Sequence, residues 1–286
     1  MSPTARPKVL ITGIAGVLGQ EVARRLHQAG HRVMGIDRRD WPDPPRGVVV
    51  HLGTVTYFRA GLEARARINL EGTRRVFDNC ARHGTRHVIF VGRHTVYGAG
   101  ADSPLYHGEE DPPLGGATFV ELADLLAADM YAGTALWRRP ELTTTILRLV
   151  YTLGPSRKGT LARFLGGRLV PTVLGFDPLY HFMHERDAAA AIVAAARAGC
   201  AGIFNVAGPP PLPLSLLIRH TGRRAVPIPQ LLYPLVLGRF GSPLLSHGAI
   251  QHVKYPIVVD DSAFRRATGF EHEVDETQTM EAFRLG

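Results

Sequence analysis

The stretch Lys8-Val-Leu-Ile-Thr-Gly13-Ile-Ala-Gly16-Val-Leu-Gly19 decides the fold. An apolar run is followed by a glycine-rich turn, and the turn opens a helix in which Leu18, Val22 and Leu26 recur at helical spacing while Glu21, Arg24, Arg25 and Gln28 face outward. In such a strand–turn–helix, Gly13 permits the tight turn, Gly16 lets backbone approach a pyrophosphate, and Gly19 lets the helix pack on its strand. The helix start then presents free N–H groups and the positive end of its dipole to the phosphates. Asp37, closing the next apolar run from Arg32, is placed to accept hydrogen bonds from ribose hydroxyls. The turn residues Gly13, Ile14, Ala15, Gly16, Val17, Leu18 and Gly19, with Asp37, are therefore the candidate dinucleotide contacts. Asp37 repels a 2′-phosphate and favours NAD; Arg38 and Arg39 directly after it leave NADP open.

Working outward, strand and helix patterns alternate. A strand is expected at Val48–Leu52, a helix around Arg67–His83, a strand at His87–Val91, a helix over Thr118–Trp137, a strand at Thr143–Leu149, a helix over Ala188–Arg197 and a strand at Gly202–Val206. This order predicts an α/β, Rossmann-like doubly wound parallel sheet. Residues 1–157 are expected to form the dinucleotide-binding domain and residues 158–286 a small C-terminal substrate lobe, with about 182–208 returning to the sheet. Between the second strand and Val48 lies only a Pro-rich stretch, Arg38–Gly47.

Composition bounds the alternatives. The chain has 286 residues, 45% of them hydrophobic, enough for one large domain with a real core. Net charge is +8, and only three of the 33 basic residues are lysines, Lys8, Lys158 and Lys254. The arginines are scattered and form no stripe, so no specific nucleic-acid partner is expected. Cys80 and Cys200 have no CxxC spacing, which argues against a disulfide framework or zinc site and suits a reducing cytoplasm. The first strand begins by Lys8, leaving no room for a signal peptide ahead of it. The longest apolar stretch, Leu231–Leu245, is broken by Pro234, Gly238, Arg239, Gly241 and Pro243, so no membrane partner is expected. His181 and His184 have no further ligand cluster, and no metal site is expected.

The glycine spacing G-x-x-G-x-x-G, rather than G-x-G-x-x-G, resembles the extended short-chain dehydrogenase/reductases, the NAD-dependent epimerase/dehydratase group. Further segments are similar in the same order: Val48-Val-Val-His-Leu-Gly53, Asn69-Leu-Glu-Gly-Thr73, Val96-Tyr-Gly98, Leu147-Arg148 through Gly154-Pro155, Phe182-Met-His184-Glu-Arg-Asp187 and Phe204-Asn-Val-Ala-Gly208. The resemblance implies NAD(P) as cofactor and a small-molecule substrate that is nucleotide-sugar-like or another hydroxy/keto compound; Leu52, Gly53, Arg38 and Arg93 join the candidate cofactor contacts. It also implies a homodimer by analogy. It implies a strand and helix between the second strand and Val48; this βα unit is missing, so the second strand is expected at the sheet edge.

In that family a tyrosine acts as acid/base, a lysine four residues later lowers its pKa, and a serine or threonine holds the substrate oxygen. None of the eight tyrosines here is followed by lysine at that spacing. The tyrosine site holds Phe119 or Glu121, the lysine site Ala123 or Leu125, and the serine site Arg93. The remaining acid/base candidates are His94, Tyr97, Glu121 and Asp124, with Arg93 able to bind an anionic substrate or a cofactor phosphate. The chain therefore reads as an epimerase/dehydratase-type oxidoreductase with an atypical active site, or as a non-catalytic dinucleotide-binding sensor or partner subunit.

Overall fold

The structure is a computed structural model, and it describes residues 8–37, 47–51, 61–233 and 248–286. Six parallel strands form the central sheet: β1 (Lys8–Thr12), β2 (Arg32–Ile36), β3 (Gly47–His51), β4 (His87–Arg93), β5 (Thr143–Leu149) and β6 (Gly202–Val206), in the order β6-β5-β4-β3-β1-β2. Side chains alternate between two apolar layers, as the period of a strand requires. Val9 and Ile11 of β1, Ile89 and Val91 of β4 and Leu147 of β5 face Val22 and Leu26 of α1 (Val17–Gln28) and Ile192 of the helix Glu185–Ala198. Leu10, Val88, Phe90 and Ile146 face the opposite way, onto Val76, Phe77 and Cys80 of the helix Gly72–Arg82 and Ala128 and Ala132 of the helix Ala123–Arg138. Both faces are covered, and each strand of the middle of the sheet is apolar on both sides.

β2 ends the sheet, paired with β1 alone. Only ten residues, 37–46, separate it from β3, fewer than the dozen or more that a helical crossover takes. Fully extended they reach about 33 Å, enough to return along β1 and step across it. The apolar side chains of β2, Val33, Met34 and Ile36, are only partly buried.

Sheet strands lie within two residues of their expected bounds, β4 running two residues past Val91 to Arg93. Two helices differ more. The helix expected from Arg67 begins at Leu62, as Leu62–Ala66, a π turn Arg67–Glu71, and Gly72–Arg82. The one expected from Thr118 begins as an α-helix only at Ala123, after short turns at Gly115–Thr118 and Val120–Leu122.

Residues after Val150 build a second core from Leu153, Phe164, Phe182, Ile228, Met280 and Phe283 among others. Phe182–His184 pairs with Tyr151–Leu153 and leads directly into the helix Glu185–Ala198 on the sheet. His184 caps that helix by accepting the Arg186 N–H at 3.1 Å. Among the described residues no helix is long and apolar enough to cross a membrane; most of Leu231–Leu245 falls outside them.

Candidate functional site at the carboxyl edge of the sheet

Gly13 leaves β1 with φ 73, and its N–H donates to Ile36 O at 2.7 Å, tying the turn to β2. Gly16 N–H donates back to Gly13 O at 3.0 Å and Gly16 is the cap residue of α1. No side chain caps this helix and its first turn carries no acid, so the N–H groups of that turn face the carboxyl edge of the sheet. A Cβ at Gly19 would lie 2.4 Å from Gly13 O and 2.8 Å from Ile14 Cα. Only glycine lets the helix sit this close. Val17 opens α1, and Leu18 packs partly buried on the sheet core beside Ile14. Gly35, inside β2, belongs to none of the motifs above, yet a Cβ there would lie 2.2 Å from Ile14 Cδ1. A glycine within a strand is the signal of such a close approach.

Asp37 folds onto this turn. Its Oδ2 accepts the Ala15 N–H at 3.0 Å, fixing a carboxylate beside the glycine turn. Arg38, Leu52 and Gly53 lie outside the described residues.

Toward the middle of the edge, His51 ends β3. Thr73 Oγ1 donates to Asn69 O at 2.6 Å, so it accepts from His51 Nε2–H at 3.1 Å, and His51 Nδ1 accepts from Thr12 Oγ1 at 2.7 Å. Burial holds this imidazole neutral, at about 4.

Arg93 ends β4 and donates from Nη1 to Thr160 Oγ1 of the lobe at 3.2 Å. His94 follows it, fully buried. Its Nδ1–H donates to Leu149 O at 3.1 Å, so its Nε2 carries a lone pair, and that atom has no partner among the described residues. The ring stands edge-on to Tyr151, centroids 4.5 Å apart. Burial, with His181 and His252 nearby, holds its pKa well below the usual value.

Tyr97, three residues on, is engaged on both sides. Its hydroxyl donates to Asn205 Oδ1 at 2.8 Å and accepts from Arg148 Nη1 at 2.9 Å, while its ring stacks on His107 at 4.7 Å. Arg148 is itself paired with buried Asp129 at 2.8 Å. Burial, the largest influence, raises the phenol pKa despite the guanidinium. The phenol thus belongs to a four-residue buried network joining the turn after β4 with β5, β6 and the helix Ala123–Arg138.

The segment from Phe119 to Leu125, where the sequence resemblance would place a tyrosine and a lysine, packs as follows. Phe119 is buried with Leu122, Leu125 and Ala249, its ring 5.2 Å from that of His252. Glu121 is partly exposed, and its carbonyl accepts from Arg65 Nη2 at 2.6 Å. Asp124 is buried against Arg65 and accepts the Asn69 side-chain N–H at 2.5 Å. Among the described residues no hydrogen bond joins Glu121 to His94 or Tyr97, so the structure brings together His94, Arg93 and Tyr151 while Tyr97 and Asp124 are each held in other networks. The π turn that carries Asn69 shares the helix of Arg65, placing both on Asp124.

Comparison with known proteins agrees with this geometry. Residues 9–207 match the sequence model of the NAD dependent epimerase/dehydratase family. An uncharacterized protein of Mycobacterium bovis is 35% identical over 184 residues, 63% of this chain and 49% of that protein. The chain thus spans about half the length of this curated relative. The 2-alkyl-3-oxoalkanoate reductase of Stenotrophomonas maltophilia is 25% identical over 250 residues, 74% of each chain. Among solved structures, MoeE5 in complex with UDP-glucuronic acid and NAD superposes with a TM-score of 0.70 at 20% identity, covering 97% of this chain and 98% of that one. With the glycine turn, the parallel sheet and a match across 9–207, the chain belongs to the NAD dependent epimerase/dehydratase family.

Proposed function

We propose that this chain binds NAD at the turn between β1 and α1, as an NAD(P)-binding protein of the epimerase/dehydratase type that does not use a tyrosine–lysine acid–base pair. The observation that carries the reading is the turn itself. Gly13 turns with a positive φ, Gly19 sits closer to Gly13 and Ile14 than any Cβ allows, and an uncapped helix end faces the same space. Asp37 beside Ala15 favours a free 2′-hydroxyl, hence NAD over NADP. The NAD-bound MoeE5 supports the same seat. When bound, the nicotinamide supplies hydride chemistry; this chain's residues supply the seat, the carboxylate and the walls.

A substrate-converting reading rests on one observation. His94 is a neutral imidazole whose Nε2 lone pair lacks a donor, and it can accept a hydrogen bond from a hydroxyl placed beside Tyr151. On this reading the chain is an oxidoreductase or epimerase for a nucleotide-sugar-like or other hydroxy/keto substrate, as the named reductase relative suggests. Without turnover, the same seat makes the chain a dinucleotide sensor or a partner subunit. Exposed Met130 and Trp137 on the helix Ala123–Arg138, with Ile68 on the neighbouring helix, offer a face for a homodimer. The free thiols Cys80 and Cys200 fit a cytoplasmic setting.

Calorimetric titration tests the seat. NAD⁺ is expected to saturate with a micromolar Kd and NADP⁺ to bind at least about tenfold more weakly, a difference of roughly 1.4 kcal/mol. Gly16→Val is expected to remove NAD⁺ binding while the melting transition stays cooperative, because a Cβ there meets only Gly13 O, at 3.2 Å. Absence of binding to NAD⁺, NADH, NADP⁺ and NADPH alike would overturn the proposal.

A further inference from the structure

Gly35 sits inside β2, paired with Ile11 of β1. Its φ is not positive, so the backbone conformation itself asks for no glycine. In a strand interior glycine gives up a side chain that would pack, and it persists where another group needs the space. Here that group is Ile14. A Cβ on Gly35 would lie 2.2 Å from Ile14 Cδ1, 2.6 Å from Cγ2 and 2.8 Å from Cβ. The Cδ1 tip could swing aside. The Ile14 Cβ cannot, because it is bonded to the backbone of the glycine turn, and a β-branched side chain is stiff at χ1. An alanine at 35 therefore displaces the turn.

Residues two apart share a face of a strand. Val33 and Gly35 therefore face the same way, and Val33 packs with Ile14 and Leu18 on the core layer under α1. Asp37 is next in this series, and its carboxylate accepts the Ala15 N–H at 3.0 Å. Consecutive turn residues thus meet alternate residues of the β2 segment: Ile14 sits on Gly35, and Ala15 binds Asp37. A third tie, from Gly13 N–H to Ile36 O at 2.7 Å, pins the start of the turn. Among the described residues β2 has β1 as its one strand neighbour, so these three contacts hold the turn to a sheet edge.

We propose that Ile14 and Gly35 are positioning residues for cofactor choice: Ile14, seated in the gap left by Gly35, sets the height of the turn over β2 and so keeps the Asp37 carboxylate where it meets the 2′ position of the adenosine ribose. On the reading of the glycine turn as the NAD seat, on which this assignment rests, discrimination against a 2′-phosphate depends on a side-chain contact beneath the carboxylate as well as on the carboxylate itself.

Titration of the full chain with NAD⁺ and with NADP⁺ gives the readout, the ratio of the two dissociation constants. Gly35→Ala is expected to weaken NAD⁺ by at least about tenfold and to reduce the preference over NADP⁺ to about threefold or less. Ile14→Gly removes all three atoms that crowd the new Cβ. The double variant Gly35→Ala/Ile14→Gly is therefore expected to restore a preference of at least about fivefold. Plain packing would weaken both nucleotides alike, so a Gly35→Ala variant that keeps the parent's preference overturns the proposal. A double variant no more selective than Gly35→Ala does the same. Should Gly35→Ala lack a cooperative melt, Ile14→Gly alone, which empties the same gap, is expected to lower the preference at least about threefold, and an unchanged ratio overturns the proposal. A parent chain that binds neither nucleotide, or both equally, overturns the reading of the seat. The contact is then decided in the nucleotide-free chain: the Ala15 N–H is expected to exchange with solvent at least about tenfold faster in Gly35→Ala than in the parent, and equal rates overturn the positioning role.

Discussion

Lowering the pH from 7 to 5 is expected to destabilise the fold steeply, through histidines buried in the neutral form. Burial holds His51, His87, His181 and His252 each at about 4, and His94 lower still than its ordinary value. Their hydrogen bonds explain why a proton is unwelcome. His87 Nε2–H donates to Thr145 Oγ1 at 2.8 Å, and the Thr145 hydroxyl passes its own proton to Cys200 O; His51 accepts from Thr12 at one nitrogen and donates to Thr73 at the other. In the unfolded chain each imidazole titrates near 6.5. Between that value and about 4 the unfolded state takes up protons that the folded state refuses. The stability associated with these groups is therefore whole above about pH 6.5 and falls as pH drops toward 4. Near pH 5 each contributes a slope of about 1 kcal/mol per pH unit, and four together roughly 4 per unit, so the fall from pH 7 to 5 removes stability of the order of a typical domain's total, about 5–15 kcal/mol. Urea unfolding at pH 7, 6 and 5 checks this: the midpoint should fall sharply over that range, with a net uptake of several protons on unfolding. A midpoint that does not move between pH 7 and 5 would contradict the assignment of neutral buried imidazoles.

Arg148→Met is expected to cost about 3–5 kcal/mol, the usual penalty for leaving a buried charge without its partner. Asp129 is 1% exposed, and the replacement leaves its carboxylate facing methylene groups. The change also removes one of the two hydrogen bonds on the Tyr97 hydroxyl and the guanidinium lying 5.0 Å over its ring. In a chain of this size that corresponds to a melting temperature lower by roughly 5–15 °C. The double variant Arg148→Met/Asp129→Leu should recover much of the loss, because the uncompensated charge has gone with its partner. A thermal double-variant cycle checks both claims; equal melting temperatures for the single and double variants would show that the pair is not the source of the effect.

The Tyr97 network also explains what was and was not legible in the residues. Tyr97, Arg148 and Asn205 each stand in a short motif that the sequence displays, Val96-Tyr-Gly98, Leu147-Arg148 and Phe204-Asn-Val. No motif reveals that the three share one hydroxyl, because their partners lie 51 and 108 positions from Tyr97. Asp124 is similar. On the sequence it is an acid beside Glu121, available for proton transfer; in the fold Arg65, 59 positions earlier, holds its carboxylate in a buried pair.

By itself the sequence determined the glycine turn, the alternation of strands and helices, the loss of a βα unit between β2 and β3, and the absence of a tyrosine–lysine pair. All of these depend on spacing within about twenty residues or on which residue types are present, and local backbone sterics and periodicity read such information directly. The tertiary structure alone decided which polar groups are still available for chemistry. Whether a phenol, carboxylate or imidazole can act depends on what fills its hydrogen bonds and how dry it is, and both are set by partners that the parallel sheet brings together from distant parts of the chain.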